Sequence, residues 1–402
     1  MSEKIYTYVI IGAGLAGVSA IKGIRESDTK GPILLIGNEK DMPYDRPPLS
    51  KKLWLGKKTV DQIFLGDKAF YVSNNVDLAL GTAAVELNAS KKTVKTDNGD
   101  SIKYTKLLLA TGGTPRALDI PGGTLPEICY FRTLDDYRNV RRLASAESKA
   151  VIIGGGFIGS EIAAALSVNR VGVTMIFPEE YLVQRIFPRD LGNAIQKHYT
   201  ERGITILNND VPVSFEKKSG TIVTRTKSGR ELESDIVIAG IGLMPNVDLA
   251  AKAGLQTDNG ITVDEYLMTS AKDVYSAGDN TSFISAVTGK RARLEHWDNS
   301  IAQGKAAGRN MAGKRAKHDY IPYFFSDLFE FGYEAAGEVN SQLQTVADWK
   351  KEYDTGVVYY LNNDTVRGIM LCNVWEKIDE ARELIRKGRK VKPDELRGAI
   401  AF

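Results

Sequence analysis

Cysteine is almost missing from this chain. Cys129 and Cys372 are the only two in 402 residues, 243 positions apart, with no C-x-x-C or C-x₄-C spacing. That excludes a vicinal redox pair and a cysteine-ligated metal centre, and no other metal site is expected. Each cysteine sits in an apolar, strand-like stretch and reads as a small buried apolar residue. Long apolar runs are lacking too. The longest, around residues 151–168, is interrupted by four glycines and Glu161 and cannot span a membrane. Charge of one sign is not in excess: the net charge of +3 gives no reason to expect nucleic acid as a partner. No signal-peptide pattern precedes the first strand pattern, which starts within ten residues of Met1, so a cytoplasmic protein is expected. An apolar content of 43% is enough for the cores of two or three domains.

Glycine is plentiful, and its placement carries the information. Tyr8–Gly17 reads YVIIGAGLAG, and Val151–Gly159 reads VIIGGGFIG. Each is a β-branched apolar run feeding a G-x-G-x-x-G turn that opens an Ala-rich, helix-like stretch. The first glycines (Gly12, Gly154) allow the tight turn, and the second (Gly14, Gly156) let backbone approach a pyrophosphate. The third (Gly17, Gly159) let helix pack on strand. The diphosphate then faces the free N–H groups at the helix start. An acid about 20 residues on should bind a ribose hydroxyl. Glu39 lies 22 residues after Gly17, and Glu179 lies 20 after Gly159. Two such units predict two dinucleotides, one passing electrons to the other.

Between the two units the pattern repeats. Short strands are expected at 76–80, 84–87 and 93–96, a hairpin turn at Asp97–Asp100, and a buried strand over 106–110 closing on a Gly-Pro turn. The second unit runs from 150 to a similar close at 235–246. A further strand ends at Gly278-Asp279, and helices are expected over 297–312 and 378–387. From residue 321 the texture becomes aromatic and β-prone. The expected fold class is α/β, with two Rossmann-like dinucleotide-binding domains and a C-terminal α+β interface domain. The domain expectation is 1–120 with 246–320, then 121–245, then 321–402.

These motifs resemble the two-dinucleotide-binding flavoproteins, within them the ferredoxin-reductase branch. That branch includes putidaredoxin and rubredoxin reductases, apoptosis-inducing factor and monodehydroascorbate reductase. The most specific match is Pro43–Lys51, PYDRPPLSK, where disulfide reductases of the superfamily carry their redox cysteines. Others are ATGGTPR at 110–116, FPE at 177–179, SAGD at 276–279, EHW at 295–297, FFSD at 324–327 and LCNVW at 371–375. The resemblance implies FAD in the first unit and NAD in the second. It implies Arg46 and Arg116 on the FAD pyrophosphate, where guanidinium forks suit two phosphate charges, and Asp279 on the ribityl chain. Val85, Thr111, Gly112, Glu295, His296, Trp297 and Phe325 complete the FAD set. The family's ribose acid aligns with Asn38 rather than Glu39, so either residue is a candidate. Phe157, Ile158 and Gly242 join the NAD set, with Phe157 flanking the flavin.

Lys51 and Glu161 are implied as an ion pair beside flavin N5, the cation steadying charge on reduced flavin and the carboxylate holding the lysine. The expected activity is NADH oxidation through FAD, with single electrons passed to a ferredoxin or rubredoxin or to a small-molecule acceptor. The alternatives are a monodehydroascorbate or quinone reductase, and a slow NADH sensor akin to apoptosis-inducing factor. Glu179 favours NADH over NADPH, although Arg185 lies close in sequence. A monomer or homodimer is expected.

Overall fold

The β-branched runs before both glycine motifs become central, parallel-paired strands of two sheets in a computed structural model of the chain, which describes residues 4–402. By internal contacts the chain divides into two units. One contains the residues up to Asp45, Val60–Thr114 and Met244–Pro322. The other contains Arg46–Thr59, Pro115–Leu243 and Tyr323–Phe402.

In the first unit, strand β1 (Lys4–Ile11) leads through the glycine turn into helix α1 (Leu15–Arg25) and then strand β2 (Ile33–Gly37). β1 is parallel to β2 on one side and to Ser101–Leu109 on the other, so that Ile11 faces Ile36 and Leu109. Strands buried on both faces need continuous apolar runs, and every residue of β2 is buried. Val76–Leu80 lies beyond β2, Val274–Ser276 joins Ser101–Leu109, and Thr93–Thr96 and Ala84–Asn88 add an antiparallel edge. The Asp97–Asp100 turn joins two antiparallel strands as its residues predict. The strand after it starts at Ser101, earlier than the apolar run at 106–110. Its first half alternates exposed and buried residues and so gives no continuous signal. Helix Trp297–Met311 lies against α1 with backbones nearly touching: a Cβ on Gly304 or Gly308 would stand 2.2 Å from the carbonyl oxygen of Ala16 or Ala20.

The second unit repeats the plan. Strand β3 (Lys149–Ile153), helix α2 (Phe157–Val168) and strand β4 (Gly172–Phe177) follow one another around the second turn. The all-parallel sheet runs Thr205–Asn208, β4, β3, Ile236–Ala239, Ile128–Tyr130. A three-stranded antiparallel sheet over 212–234 is the counterpart of the hairpin strands of the first unit. In the same unit the C-terminal segment forms a five-stranded antiparallel sheet that begins with strand β5 (Tyr323–Leu328). Helix Ile378–Lys387 packs on this sheet through Ile378, Ala381 and Ile385. Among the described residues no helix is long and apolar enough to cross a membrane.

Candidate functional site

The two glycine turns have nearly the same backbone. Gly12 and Gly154 have φ of +119° and +111°, a region that favours glycine, and a Cβ on either would lie 2.0 or 2.4 Å from a carbonyl oxygen of the neighbouring strand. Gly17 and Gly159 close the helix onto its turn, each with a Cβ position about 2 Å from the first glycine's carbonyl. Gly14 and Gly156 are the residues preceding α1 and α2. Neither helix start is capped by a side chain, and a Cβ at either glycine meets nothing within 4 Å. Uncapped N–H groups facing open space are what a diphosphate requires.

Several of the remaining candidates of the first unit follow directly on its strands. Asn38 is exposed at the end of β2, and the half-buried Glu39 accepts a 2.5 Å hydrogen bond from Tyr44 Oη. Thr111 and Gly112 are tied to Asn246, which donates to the Thr111 carbonyl at 2.9 Å and to the Gly112 carbonyl from its backbone. Asp279 accepts from Ser300 Oγ at 3.3 Å, and its carbonyl accepts from Arg293, which also pairs with Glu295 at 2.7 Å. Beside it, Asn280 Oδ1, Asn299 Oδ1 and Gln303 Nε2 are buried without protein partners. Buried polar atoms left open in this way suit a hydroxylated ligand. His296 precedes helix Trp297–Met311, and burial lowers its pKa to about 4. Trp297 Nε1 donates to Asp45 at 2.7 Å. Val85 is 53% exposed on its edge strand.

The other FAD candidates fall in the second unit. Half-buried Arg46 donates to the Arg132 carbonyl at 2.8 Å, and exposed Arg116 donates its backbone N–H to the Gly242 carbonyl at 3.0 Å. Gly242 has φ of +104°. Phe157 meets Phe324 edge-on at 5.6 Å, and Ile158 is 40% exposed. Glu179 is half-buried just past β4, and no described side chain bonds its carboxylate.

Lys51 and Glu161 do meet. Lys51 Nζ stands 3.2 Å from Glu161 Oε1, with both residues at least nine-tenths buried. The pair is brought together by a 3₁₀ turn, Pro47–Ser50, that ends beside α2. The Phe325 ring lies 4.4 Å from the ammonium. Four further groups were not legible as site residues. Ser50 and Ser326 both donate to Glu161. The buried phenols of Tyr199 and Tyr333 have pKa values pushed well up, first by burial and then by the Glu161 charge. Ser50 and Ser326 lie inside PYDRPPLSK and FFSD, so the motifs contain them, but nothing marks a serine in sequence as a buried donor. Both cysteines are buried free thiols, and burial raises the Cys129 pKa to about 12.

A sequence-family profile described as "Pyridine nucleotide-disulphide oxidoreductase" matches residues 6–304. A second, "Apoptosis-inducing factor, mitochondrion-associated, C-term", matches residues 347–387. Putidaredoxin reductase of Pseudomonas putida is 31% identical over 96% of this chain and 93% of its own length. Monodehydroascorbate reductase 3 of Arabidopsis thaliana is 35% identical over 84% of this chain and 82% of its own. The reductase of a covalent putidaredoxin reductase–putidaredoxin complex superposes with a TM-score of 0.91 at 31% identity, covering 98% of this chain and 96% of that one.

Proposed function

The chain belongs to the pyridine nucleotide-disulphide oxidoreductase family, and from that premise we propose that it is an FAD-dependent NADH reductase whose electrons go to a small electron-transfer protein such as a ferredoxin or rubredoxin. FAD, when bound, would supply the chemistry that links a two-electron donor such as NADH to one-electron acceptors. The chain's own residues do the holding. Gly14 and the start of α1 would receive the FAD diphosphate, and Asp279 would accept from ribityl hydroxyls; Arg46 and Arg116 are guanidinium forks that the family resemblance implies for the same diphosphate. Gly156 and the start of α2 receive the NADH diphosphate, and Glu179 accepts from its ribose. Lys51 supplies a fixed positive charge where flavin charge develops, and Glu161 holds it.

One observation carries this reading. A buried Lys51–Glu161 pair follows the second dinucleotide turn, while both thiols are buried free cysteines and supply no redox pair. Two unpaired thiols also fit a reducing compartment, the cytoplasm. The test is anaerobic titration of the purified yellow protein, then NADH-driven reduction of cytochrome c with and without an added [2Fe–2S] ferredoxin or rubredoxin. We expect one FAD per chain, faster reduction by NADH than by NADPH, and acceleration by the added protein. A protein that takes up no FAD would overturn the cofactor. Equal cytochrome c reduction without the added protein, together with fast turnover of an organic radical or quinone, would favour the reading that follows its monodehydroascorbate reductase relative.

A further inference from the structure

Glu161 is held from two parts of the chain far apart in sequence. Ser50 Oγ donates to its Oε2 at 2.5 Å, and Ser326 Oγ donates to its Oε1 at 2.6 Å, the oxygen that Lys51 Nζ also approaches at 3.2 Å. All four residues are 7% exposed or less. Ser326 belongs to β5, the first strand of the C-terminal sheet, and the residue before it, Phe325, presents its ring to the Lys51 ammonium. Successive residues of one strand therefore contact both members of the ion pair.

The chemistry of these contacts is directional. A hydroxyl that donates to a carboxylate favours its ionised form and fixes which oxygen faces which donor. With Ser50 on one oxygen and Ser326 on the other, the carboxylate plane is set, and Oε1 has one direction left for the ammonium. Without the Ser326 hydroxyl, the carboxylate is anchored through Oε2 alone, and Oε1 with the lysine it holds can swing about that single anchor. We infer that Ser326 is a positioning residue for flavin reduction, so that β5 of the C-terminal segment sets the Lys51–Glu161 pair rather than serving only as an interface. This rests on the role proposed above for that pair.

The experiment uses the holoenzyme and four variants: Ser326→Ala, Glu161→Gln, their double, and Lys51→Ala. Each is measured for FAD content, flavin midpoint potential, NADH dissociation constant and limiting rate of reduction by NADH. Ser326→Ala should keep its FAD and bind NADH within twofold of the parent. Its limiting rate should fall at least tenfold, and its midpoint should move to more negative potential. In the Glu161→Gln background the same change should alter rate and potential less than twofold, because the residue through which it acts is gone. Parental rate and potential in Ser326→Ala, with Lys51→Ala slow, would sink this inference and leave the proposed function standing. A full Ser326→Ala effect persisting beside Glu161→Gln would sink it as well. Parental behaviour in Lys51→Ala and Glu161→Gln would instead remove the proposed role of the pair itself. If Ser326→Ala fails to retain FAD, Ser50→Ala carries the test from the opposite oxygen and must show the same split between rate and NADH binding.

Discussion

The two glycine turns share a backbone and differ in what surrounds it. In the first, a Cβ on Gly37 at the end of β2 would lie 2.5 Å from the Cβ of Ala13. In the second, the strand carries Phe177 and the turn gives up its side chain, since a Cβ on Gly155 would meet the Phe177 ring at 2.7 Å. Small and large have changed places across the same gap. Counting on from each first glycine, Ala16 corresponds to Ile158 and Ser19 to Glu161. Ala16 is 7% exposed under helix Trp297–Met311, whereas Ile158 is 40% exposed. The first helix is sealed by backbone-close packing and the second is left open along its first turn. That difference suits a resident cofactor at one turn and an exchanging one at the other. Ser19 is a buried neutral side chain; at the corresponding place Glu161 is a buried charge with three donors. Of the two copies, only the second carries a buried charge at this position of its helix.

The sharpest way to break the comparison is to put a methyl group on each first glycine. Gly12→Ala and Gly154→Ala force a Cβ into backbone at positive φ, costing roughly 2–3 kcal/mol locally. Gly12→Ala should purify without flavin. Gly154→Ala should stay yellow and lose at least a hundredfold in reduction by NADH. If Gly154→Ala is also colourless, the two turns do not serve separate nucleotides. The corresponding pair on the helices comes next. Glu161→Ala leaves the Lys51 ammonium buried without its carboxylate, and breaking a buried pair costs roughly 3–5 kcal/mol. Flavin reduction should slow at least tenfold. Ser19→Ala should cost under about 1 kcal/mol and leave the rate unchanged. Stopped-flow reduction and urea melts of both variants decide, and a slow Ser19→Ala would mean that position along the helix, not charge, is what matters.

What was legible in sequence follows the same division. Gly12 and Gly17, and their counterparts at 154 and 159, were readable because each answers a steric demand that only glycine meets; Gly14 and Gly156, where a Cβ would meet nothing within 4 Å, were readable only from their place in the motif. The strands were readable where buried on both faces, as at Ile33–Gly37, and shortened where one face is wet, as at Ser101–Leu109. The meeting of Lys51 with Glu161 was implied by resemblance alone, since 110 residues of chain separate two ordinary charges. Ser326 was beyond reach: its donor role depends on β5 arriving at α2, a tertiary fact that no local pattern encodes.

Acid should separate the units next. His296 and His318 both belong to the first, and burial lowers the pKa of each from 6.5 to about 4. Above about pH 6.5 both are neutral folded or unfolded and nothing is lost. As pH falls from 6.5 toward 4 the unfolded chain takes up protons that the folded unit refuses, so stability declines. Because both rings are partly exposed, this amounts to on the order of 1–3 kcal/mol each. In the second unit Glu334 is raised by burial, and protonating it on the way down acts in the opposite sense. FAD release, followed by flavin fluorescence, should therefore begin between pH 6 and 5 and move to lower pH in His318→Gln. An unchanged release profile in that variant would assign the acid sensitivity elsewhere.

The smallest expected effect concerns the two acids that follow the second strands. Glu39 is held by Tyr44, whereas the Glu179 carboxylate is bonded by no described side chain, which leaves it available to a ribose. Its negative charge opposes a 2′-phosphate while accepting hydrogen bonds from a 2′-hydroxyl. Arg185 and Arg189 both follow Glu179 in sequence, and Arg189 is paired with Glu180. Glu179→Ala should therefore lower the NADH-over-NADPH ratio of kcat/KM by about tenfold, near 1.4 kcal/mol. The change should come from weaker NADH use and improved NADPH use together. Glu39→Ala should leave that ratio untouched, because the first turn is assigned to FAD. Steady-state kinetics of both variants with both nucleotides make the measurement. A ratio that moves with Glu39 rather than Glu179 would exchange the assignments of the two turns and undo the comparison from which the others were drawn.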